Sequence, residues 1–515
     1  MLGILKTSYK VSKGYLRSSI ATLWYEDKIM EDGWGHIKVV TDGHYPDEIQ
    51  AEAAGYLEGY VEYERIAQHV SNIRAINFGS NPIPAGIENY LKEQIAFIRK
   101  MVSNPPKGEE RYWHYVNLMM KQVEGLTNGF NARRGPNEQI TFQEMYMHNA
   151  DGDMETLLDM FNPGDREWLT MLDCSALVRR MENGEIYMGH ATWRNFAAML
   201  RHYKFYEFHY HSETVRLSFS ASPGFVNSKD DFYVNGFGIG AMETTNAIYD
   251  EQLYKYCTTD TVPSFIRSQV SNMLAHDPKT WVDIFSLYNS GTYNNQWMAV
   301  DLNGAQKTEN LMWIVEQIPG LTIKEDVTRT LRETGYWASY NIPYIREIYE
   351  KSGYPSQPAT PENDYYNCSR HNIFQRDAPL VKDLDGFLKI LRSNDYLHDP
   401  LAEGNPRHVI ASRYDLDTSN PRHFGAIDSK VTSTSLHNNN MGVWAVNGPT
   451  VDGVPPFSWS EWMKSHEAVQ HIGHPDVFDF DYVYMDIAQF CVCWKNELGW
   501  YGAALRCGWT PLIHS

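Results

Sequence analysis

The chain has 515 residues, 43% hydrophobic, 13% aromatic and 21% charged, the composition of a globular protein with material for a large core. A formal net charge of −19 argues against nucleic acid and anionic membrane surfaces as partners, because both would repel it. No apolar run is long enough to span a bilayer, and six cysteines are too few for a disulfide-built scaffold.

The opening run Met1-Leu2-Gly3-Ile4-Leu5 meets Lys6 and is too short for a signal-peptide core. No Ser/Gly-rich or charge-block spacer divides the chain, so one fused globular unit is predicted. The first third reads as mainly helical. Pro46-Asp47-Glu48 opens a helix in which Ile49, Ala53, Tyr56, Leu57 and Tyr60 recur at helical spacing. Gly55 and Gly59 share a face of it and would admit a close neighbour. A second apolar stripe runs from Ile87 to Met101, and a third helix is predicted over 110–124.

Near Leu169 the pattern turns to strands. Asn183-Gly184 is a strong hairpin-turn dipeptide, since both residues tolerate φ > 0. A two-residue loop there sets Cys174 opposite Trp193 and Leu177 opposite His190. A thiol and an imidazole then meet at one end of a hairpin, the minimal equipment of a cysteine nucleophile. Strict alternation turns Leu177 and His190 away from the Cys174 face, so a bulge or a ladder end near Gly189 is expected. A buried, inert Cys174 is the competing reading.

Further strands are predicted over 205–211, 215–222, 232–237, 239–243, 292–302 and 311–317, with helix over 264–288. Short hairpins argue for antiparallel sheets flanked by helices. The Pro-rich stretch 354–361 reads as a surface loop. Gly236-Phe237-Gly238-Ile239-Gly240 lacks the spacing and following helix of a dinucleotide site. His209/His211 and His471/His474 lack a third matched metal ligand. Any disulfide is expected among Cys491, Cys493 and Cys507, and Asn367-Cys368-Ser369 is an N-glycosylation sequon.

Several blocks together resemble the phospholipase B-like family. They are Ala53-Ala54-Gly55-Tyr56-Leu57-Glu58-Gly59-Tyr60, Asp230-Asp231-Phe232-Tyr233, Met242-Glu243-Thr244-Thr245-Asn246 and the run from Asn289 through Tyr293 to Met298. Gln317-Ile318-Pro319-Gly320, the run Gly335–Asn341 and Ile373-Phe374-Gln375-Arg376-Asp377 extend the likeness in order through nearly the whole chain.

That resemblance implies an N-terminal nucleophile (Ntn) hydrolase, an α+β protein with a four-layer αββα sandwich of antiparallel sheets. It implies a helical fragment 1–173 and a catalytic fragment 174–515, separated by self-cleavage at Asp173-Cys174. Cys174 would be the nucleophile and its freed α-amine the base. His190 and Trp193 match the family's pocket motif, Asn289 its oxyanion amide and Thr244 a hydroxyl near the thiol. Asn294 and Arg376 are further candidates. The implied substrates are acyl esters of phospholipids, without metal or cofactor, in a lysosomal or secreted setting. An amidase acting on N-acyl lipids and a non-catalytic lipid-binding protein are the alternatives.

Overall fold

The computed structural model of the chain describes residues 19–162 and 174–490. Two strands, β1 (Ala21–Lys28) and β2 (Trp34–Thr41), are the first described elements, and the mainly helical reading of the first third did not include them. Six helices follow: α1 (Asp47–Val61), α2 (Tyr63–Phe78), α3 (Ala85–Ser103), α4 (Glu110–Asn131), α5 (Phe142–Asn149) and α6 (Asp151–Phe161). Asp47 and Glu48 place negative charge in the first turn of α1, where the helix dipole favours it. Thr141 and Glu144 form a reciprocal capping box on α5.

The glycines of α1 make the close approach their spacing predicted. The partner is α4, and the contact is mutual. A Cβ on Gly55 or Gly59 would collide with the carbonyls of Gln122 and Leu126, and one on Gly125 or Gly129 with those of Glu52 and Tyr56. The buried face of α1 combines alanines and glycines with the fully buried Gln50 and Glu58, whereas Ile49, Tyr56, Leu57 and Tyr60 are only partly buried.

The strand-rich half contains β3 (Ser175–Arg180), β4 (Ile186–Ala191), β5 (Trp193–Asn195), β6 (Arg201–His209), β7 (Thr214–Ala221), β8 (Phe232–Asn235) and β9 (Ile239–Thr245). The predicted helix at 264–288 is two helices, α7 (Ser264–Leu274) and α8 (Pro278–Phe285). Then come β10 (Asn295–Asp301), β11 (Met312–Ile318), β12 (Leu321–Asp326), α9 (Thr328–Thr334), β13 (Tyr336–Ser339), α10 (Arg346–Lys351), α11 (Ser369–Asp377) and α12 (Leu384–Ile390). The last strands among the described residues are β14 (Phe424–Ala426), β15 (Asp428–Ser433), β16 (Val443–Asn447), β17 (Phe457–Ser458), β18 (Val477–Phe478) and β19 (Val483–Met485). The Pro-rich stretch carries two short 3₁₀ turns and buries Tyr354.

Two large sheets result. One has nine strands in the order β1-β2-β6-β7-β8-β9-β10-β11-β12, antiparallel except where β2 runs parallel to β6. The other has six, β13-β3-β4-β15-β16-β19, all antiparallel. Their side chains sort by alternation. Ile37, Tyr206, Phe219, Trp297 and Val315 pack with residues from α1–α8 on the outer face of the nine-stranded sheet. Trp34, Phe205, Met242, Met298 and Ile314 point the other way and meet Ala176, Val178, Met188 and Ala445 of the six-stranded sheet. Leu177 and Val431, on the far face of that sheet, pack against Phe374 of α11 and Phe387 and Ile390 of α12. This mixed α+β arrangement is compatible with an αββα sandwich.

The β3–β4 hairpin differs from its predicted register by one residue. The loop has three residues, not two: Met181 N–H donates to the Glu185 carbonyl at 2.8 Å, and Gly184 has φ = 90°. A three-residue loop with glycine in the left-handed region is the next commonest hairpin solution. Ala176, not Leu177, therefore faces His190, and Leu177 faces Gly189.

Candidate active site

The one-residue shift sets the chemistry. A slip of one position turns a strand's side chains to its other face. His190 consequently shares the inner face with Cys174, and the bulge or ladder end expected near Gly189 is unnecessary. Gly189 is required for another reason: a Cβ there would collide with Leu391 and Phe387 of the outer helical layer.

Cys174 stands immediately before β3. It is 3% exposed, and its φ of 73° is one that L-residues other than glycine rarely adopt. Such backbone strain, of order 1–3 kcal/mol, persists only where surrounding structure enforces it. Arg370 of α11 supplies part of that enforcement. Its Nη1 donates to the Cys174 carbonyl at 2.6 Å, and its Nη2 to the Tyr340 carbonyl at 2.7 Å. The same guanidinium lies 4.4 Å from the Trp193 ring, whose Nε1 donates to the Ile410 carbonyl. Trp193 is thus a platform for Arg370 and not the cross-strand partner of Cys174 that the predicted register made it.

The Cys174 thiol, the His190 ring and the Glu243 carboxyl offer atoms that all lie within 4.8 Å of one another. His190 is fully buried. Its Nε2 is 2.8 Å from the Glu243 carbonyl oxygen, an acceptor only, so Nε2 carries the proton. Nδ1 is then the acceptor and faces Thr192 Oγ1 and Lys430 Nζ, both at 3.2 Å. Burial, and next the Lys430 ammonium, hold the imidazole well below its ordinary pKa. His190 is a neutral ring of fixed tautomer.

Lys430 also donates to Asp428 Oδ1 at 2.7 Å, and Arg201 bridges Asp428 and Asp230 at 2.7 and 2.6 Å, with every one of these side chains fully buried. Burial works to raise the Asp428 carboxyl, but Lys430 and Arg201 overcome it and keep the group ionised below the usual carboxylate range.

A second carboxyl group behaves oppositely. Tyr293 Oη contacts Asp231, lies 3.0 Å from Glu243 Oε1 and receives Lys229 Nζ at 3.1 Å. Burial, with Lys229 opposing it, pushes Asp231 up to about 7. Burial and then the Asp231 charge drive Glu243 well above its ordinary value. Asp231 and Tyr293, like Cys174, have positive φ, 46° and 54°. Three strained residues thus converge on one cluster. A narrow polar cavity lined by Lys229, Asp231, Tyr293, Asn227 and Ser268 adjoins it.

Among the described residues, Cys174, His190 and Glu243 form the one His/Cys/Asp/Glu group with metal-ligand spacing. Both imidazole nitrogens already have partners, and an ammonium 3.2 Å from Nδ1 opposes a cation. The donor set fits proton chemistry better than metal binding.

The remaining sequence candidates lie in different surroundings. Thr244 Oγ1 bonds Ser339 Oγ at 2.6 Å and accepts from the Asn341 N–H. Asn289 donates to the Ile318 carbonyl and to Thr322 Oγ1, so an oxyanion role would require giving up bonds at both amide hydrogens. Asn294 Nδ2 donates to the Gly291 carbonyl, leaving a buried Oδ1 without a protein partner. Arg376, 43% exposed, forms a bidentate pair with Asp399 and another with Asp377. Asp173, Cys491, Cys493 and Cys507 lie outside the described residues, while Cys257 and Cys368 are free and buried.

Sequence reasoning missed Arg370, Lys430, Asp428, Asp231, Glu243 and Tyr293 as site residues. A signal existed for four of them. Glu243, Asp428 and Lys430 are charges inside strand-like runs, and Asp231 follows Asp230 at the head of one. A charge at a buried strand position has to be paired or functional.

Comparison with known proteins places the chain in a family. The profile described as Phospholipase B matches residues 21–485. The chain belongs to the phospholipase B family. It is 36% identical over 517 residues to phospholipase B-like protein C of Dictyostelium discoideum, covering 94% of this chain and 90% of the relative. It is 34% identical to phospholipase B-like 1 of Rattus norvegicus, over 90% of this chain and 86% of the relative. Phospholipase B of Crotalus adamanteus is also 34% identical, over 90% and 87%. The family is one of hydrolases, and no helix among the described residues is long and apolar enough to cross a membrane.

Proposed function

We propose that this member of the family is a self-processed cysteine Ntn hydrolase that cleaves acyl ester bonds of phospholipids. The observation that carries the reading is Cys174 itself. It is a strained thiol at the head of an inner-sheet strand, its carbonyl held by Arg370 and its side chain beside a neutral imidazole and a raised carboxyl. Relatives named for phospholipase B activity supply the substrate class.

In this reading cleavage before Cys174 frees its α-amine. An α-amine with a pKa of about 7.7–8.0 takes the thiol proton as the sulfur attacks the ester carbonyl. Collapse of the tetrahedral intermediate, with the α-ammonium returning its proton to the leaving oxygen, expels the alcohol and leaves an acyl thioester, which water then opens. His190, held neutral, adds no further positive charge beside the α-ammonium that forms. Arg370 and Trp193 fix the Cys174 backbone so that thiol and amine stay in register. Thr244 and Asn294 support the inner-sheet loops around it.

The test is N-terminal sequencing and intact mass of the purified protein held at acidic pH. Two polypeptides are expected, one beginning at Cys174. A chain that stays whole, with no fragment starting there, overturns the reading.

A further inference from the structure

Self-cleavage poses a problem that the mature chemistry does not solve. Before the chain is cut, the nitrogen of Cys174 is an amide and cannot serve as a base. The leaving nitrogen also needs a proton as its C–N bond breaks. His190 is poorly placed to give one, since its N–H is bonded to the Glu243 carbonyl and Lys430 faces its other nitrogen.

We propose that the Asp231–Glu243 carboxyl pair is the proton relay for chain cleavage at Cys174, a role resting on the Ntn reading above. Glu243 is the group that reaches the reacting atoms, its carboxyl lying within 4.8 Å of the Cys174 thiol. Asp231 and Tyr293 are positioning residues: Tyr293 Oη contacts both carboxyls, so one hydroxyl holds the pair together. The two carboxyls are also hydrogen-bonded to each other, so a proton can pass between them. Catalytic distances in a resting site commonly tighten only as the reaction proceeds.

The step balances within one carboxyl group. The protonated Glu243 accepts the thiol proton on one oxygen as Cys174 Sγ bonds to the carbonyl carbon of residue 173. It delivers its own proton from the other oxygen to the Cys174 nitrogen as the C–N bond breaks. The products are a thioester between residue 173 and Sγ and a free α-amine, and the carboxyl ends with the proton count it began with. Water then hydrolyses the thioester.

The relay needs its proton. The charged and titratable groups facing the pair are Cys174, His190, Tyr293, Lys229, Asp230 and, through Lys229, Glu155 of α6. Burial outweighs the Lys229 ammonium, so both carboxyls stay protonated at acidic pH. Cleavage should therefore run at a level rate through the acidic range and fall as pH rises and the pair ionises.

The experiment follows cleavage of the full-length chain after synthesis, by intact mass between pH 4.5 and 9, in wild type, Glu243→Gln and Asp231→Asn. Wild type is expected to cut before Cys174 with a falling alkaline limb. Glu243→Gln should cut at least about a hundredfold more slowly, the lower end of general acid–base contributions. In Asp231→Asn the limb should move to lower pH, because the charge that raises Glu243 is gone, a shift that a merely structural role would not produce. A wild-type rate in Glu243→Gln overturns the relay and leaves the Ntn reading standing. If Glu243→Gln does not fold, the Asp231→Asn limb decides, and an unmoved limb overturns the relay. An uncut wild type overturns both.

Discussion

Arg370 places one guanidinium nitrogen 2.6 Å from the carbonyl oxygen of Cys174 while its planar head lies over the Trp193 ring. A buried guanidinium is thereby committed to the backbone of a residue whose φ of 73° is rare outside glycine. Burial lowers the Arg370 pKa, yet an arginine stays charged in proteins, so the Cys174 and Tyr340 carbonyls receive charge-assisted bonds.

Arg370→Met should therefore do two separable things. It leaves two buried carbonyls short of a donor, at about 1–3 kcal/mol each. It also releases the backbone at Cys174, so chain cutting should slow beyond what the lost stability explains. Arg370→Lys should recover charge but not the two-point hold. Denaturant titration alongside cleavage rate checks this, and a lysine variant that cuts normally would show that geometry at Cys174 does not depend on the fork.

The α1–α4 contact predicts a different class of effect. Gly125 and Gly129 face Glu52 and Tyr56 backbone, which cannot move aside as a flexible side-chain tip can. Gly125→Ala should destabilise by about 3 kcal/mol, the upper range for overpacking. The urea midpoint should fall with an unchanged slope. An alanine variant of wild-type stability would mean that the two helices have room the packing denies them.

Acid should weaken the helical layer through His148. This imidazole lies buried with Nε2 3.1 Å from the Pro223 carbonyl and 3.3 Å from His69 Nδ1. Burial lowers it to about 4. A depressed histidine binds its proton in the unfolded chain first, so between pH 6.5 and 4 the unfolded state holds more protons and stability falls as pH falls. The expected loss from pH 7 to pH 5 is about 2 kcal/mol for this group. His148→Gln, which keeps a donor for Pro223, should flatten that part of the stability–pH curve. A curve of unchanged steepness would show that His148 takes up its proton in the folded state.

What could be read in the sequence divides along physical lines. The strand positions 215–222, 239–243 and 311–317 were legible because alternation is local. The pairing of Cys174 with His190 was legible in outline, but the face was not, because a three-residue loop and a two-residue loop share the Asn183-Gly184 signal. Strands β1 and β2 were hidden by the helical run that follows them. Arg370 was unreadable: nothing in its neighbourhood distinguishes it from Arg376, and only the packing of α11 buries one and exposes the other. Asn289 and Thr244 stand in recognisable blocks, yet their partners come from β11–β12 and β13, at sequence separations no local pattern encodes.

The decisive separation between an enzyme and a lipid-binding protein on the same fold lies at Cys174. Cys174→Ala removes the thiol but leaves His190, Glu243, Arg370 and Trp193 around it. The variant should fold, remain a single polypeptide, and lose hydrolysis while retaining acyl-lipid binding, because binding rests on pocket walls and bond breaking on the thiol with its α-amine. Cys174→Ser keeps a hydroxyl and should cut slowly if at all. The measurement is a matched panel of phospholipid esters and N-acyl amides, assayed near pH 5 and pH 7 with wild type and the alanine variant, beside a direct lipid-binding titration. Equal hydrolysis by both proteins would remove Cys174 as nucleophile. Turnover of the amides above the esters would move the substrate from phospholipid esters to N-acyl lipids on the same nucleophile. A fully processed wild type that binds lipid and hydrolyses nothing would make this chain a lipid carrier.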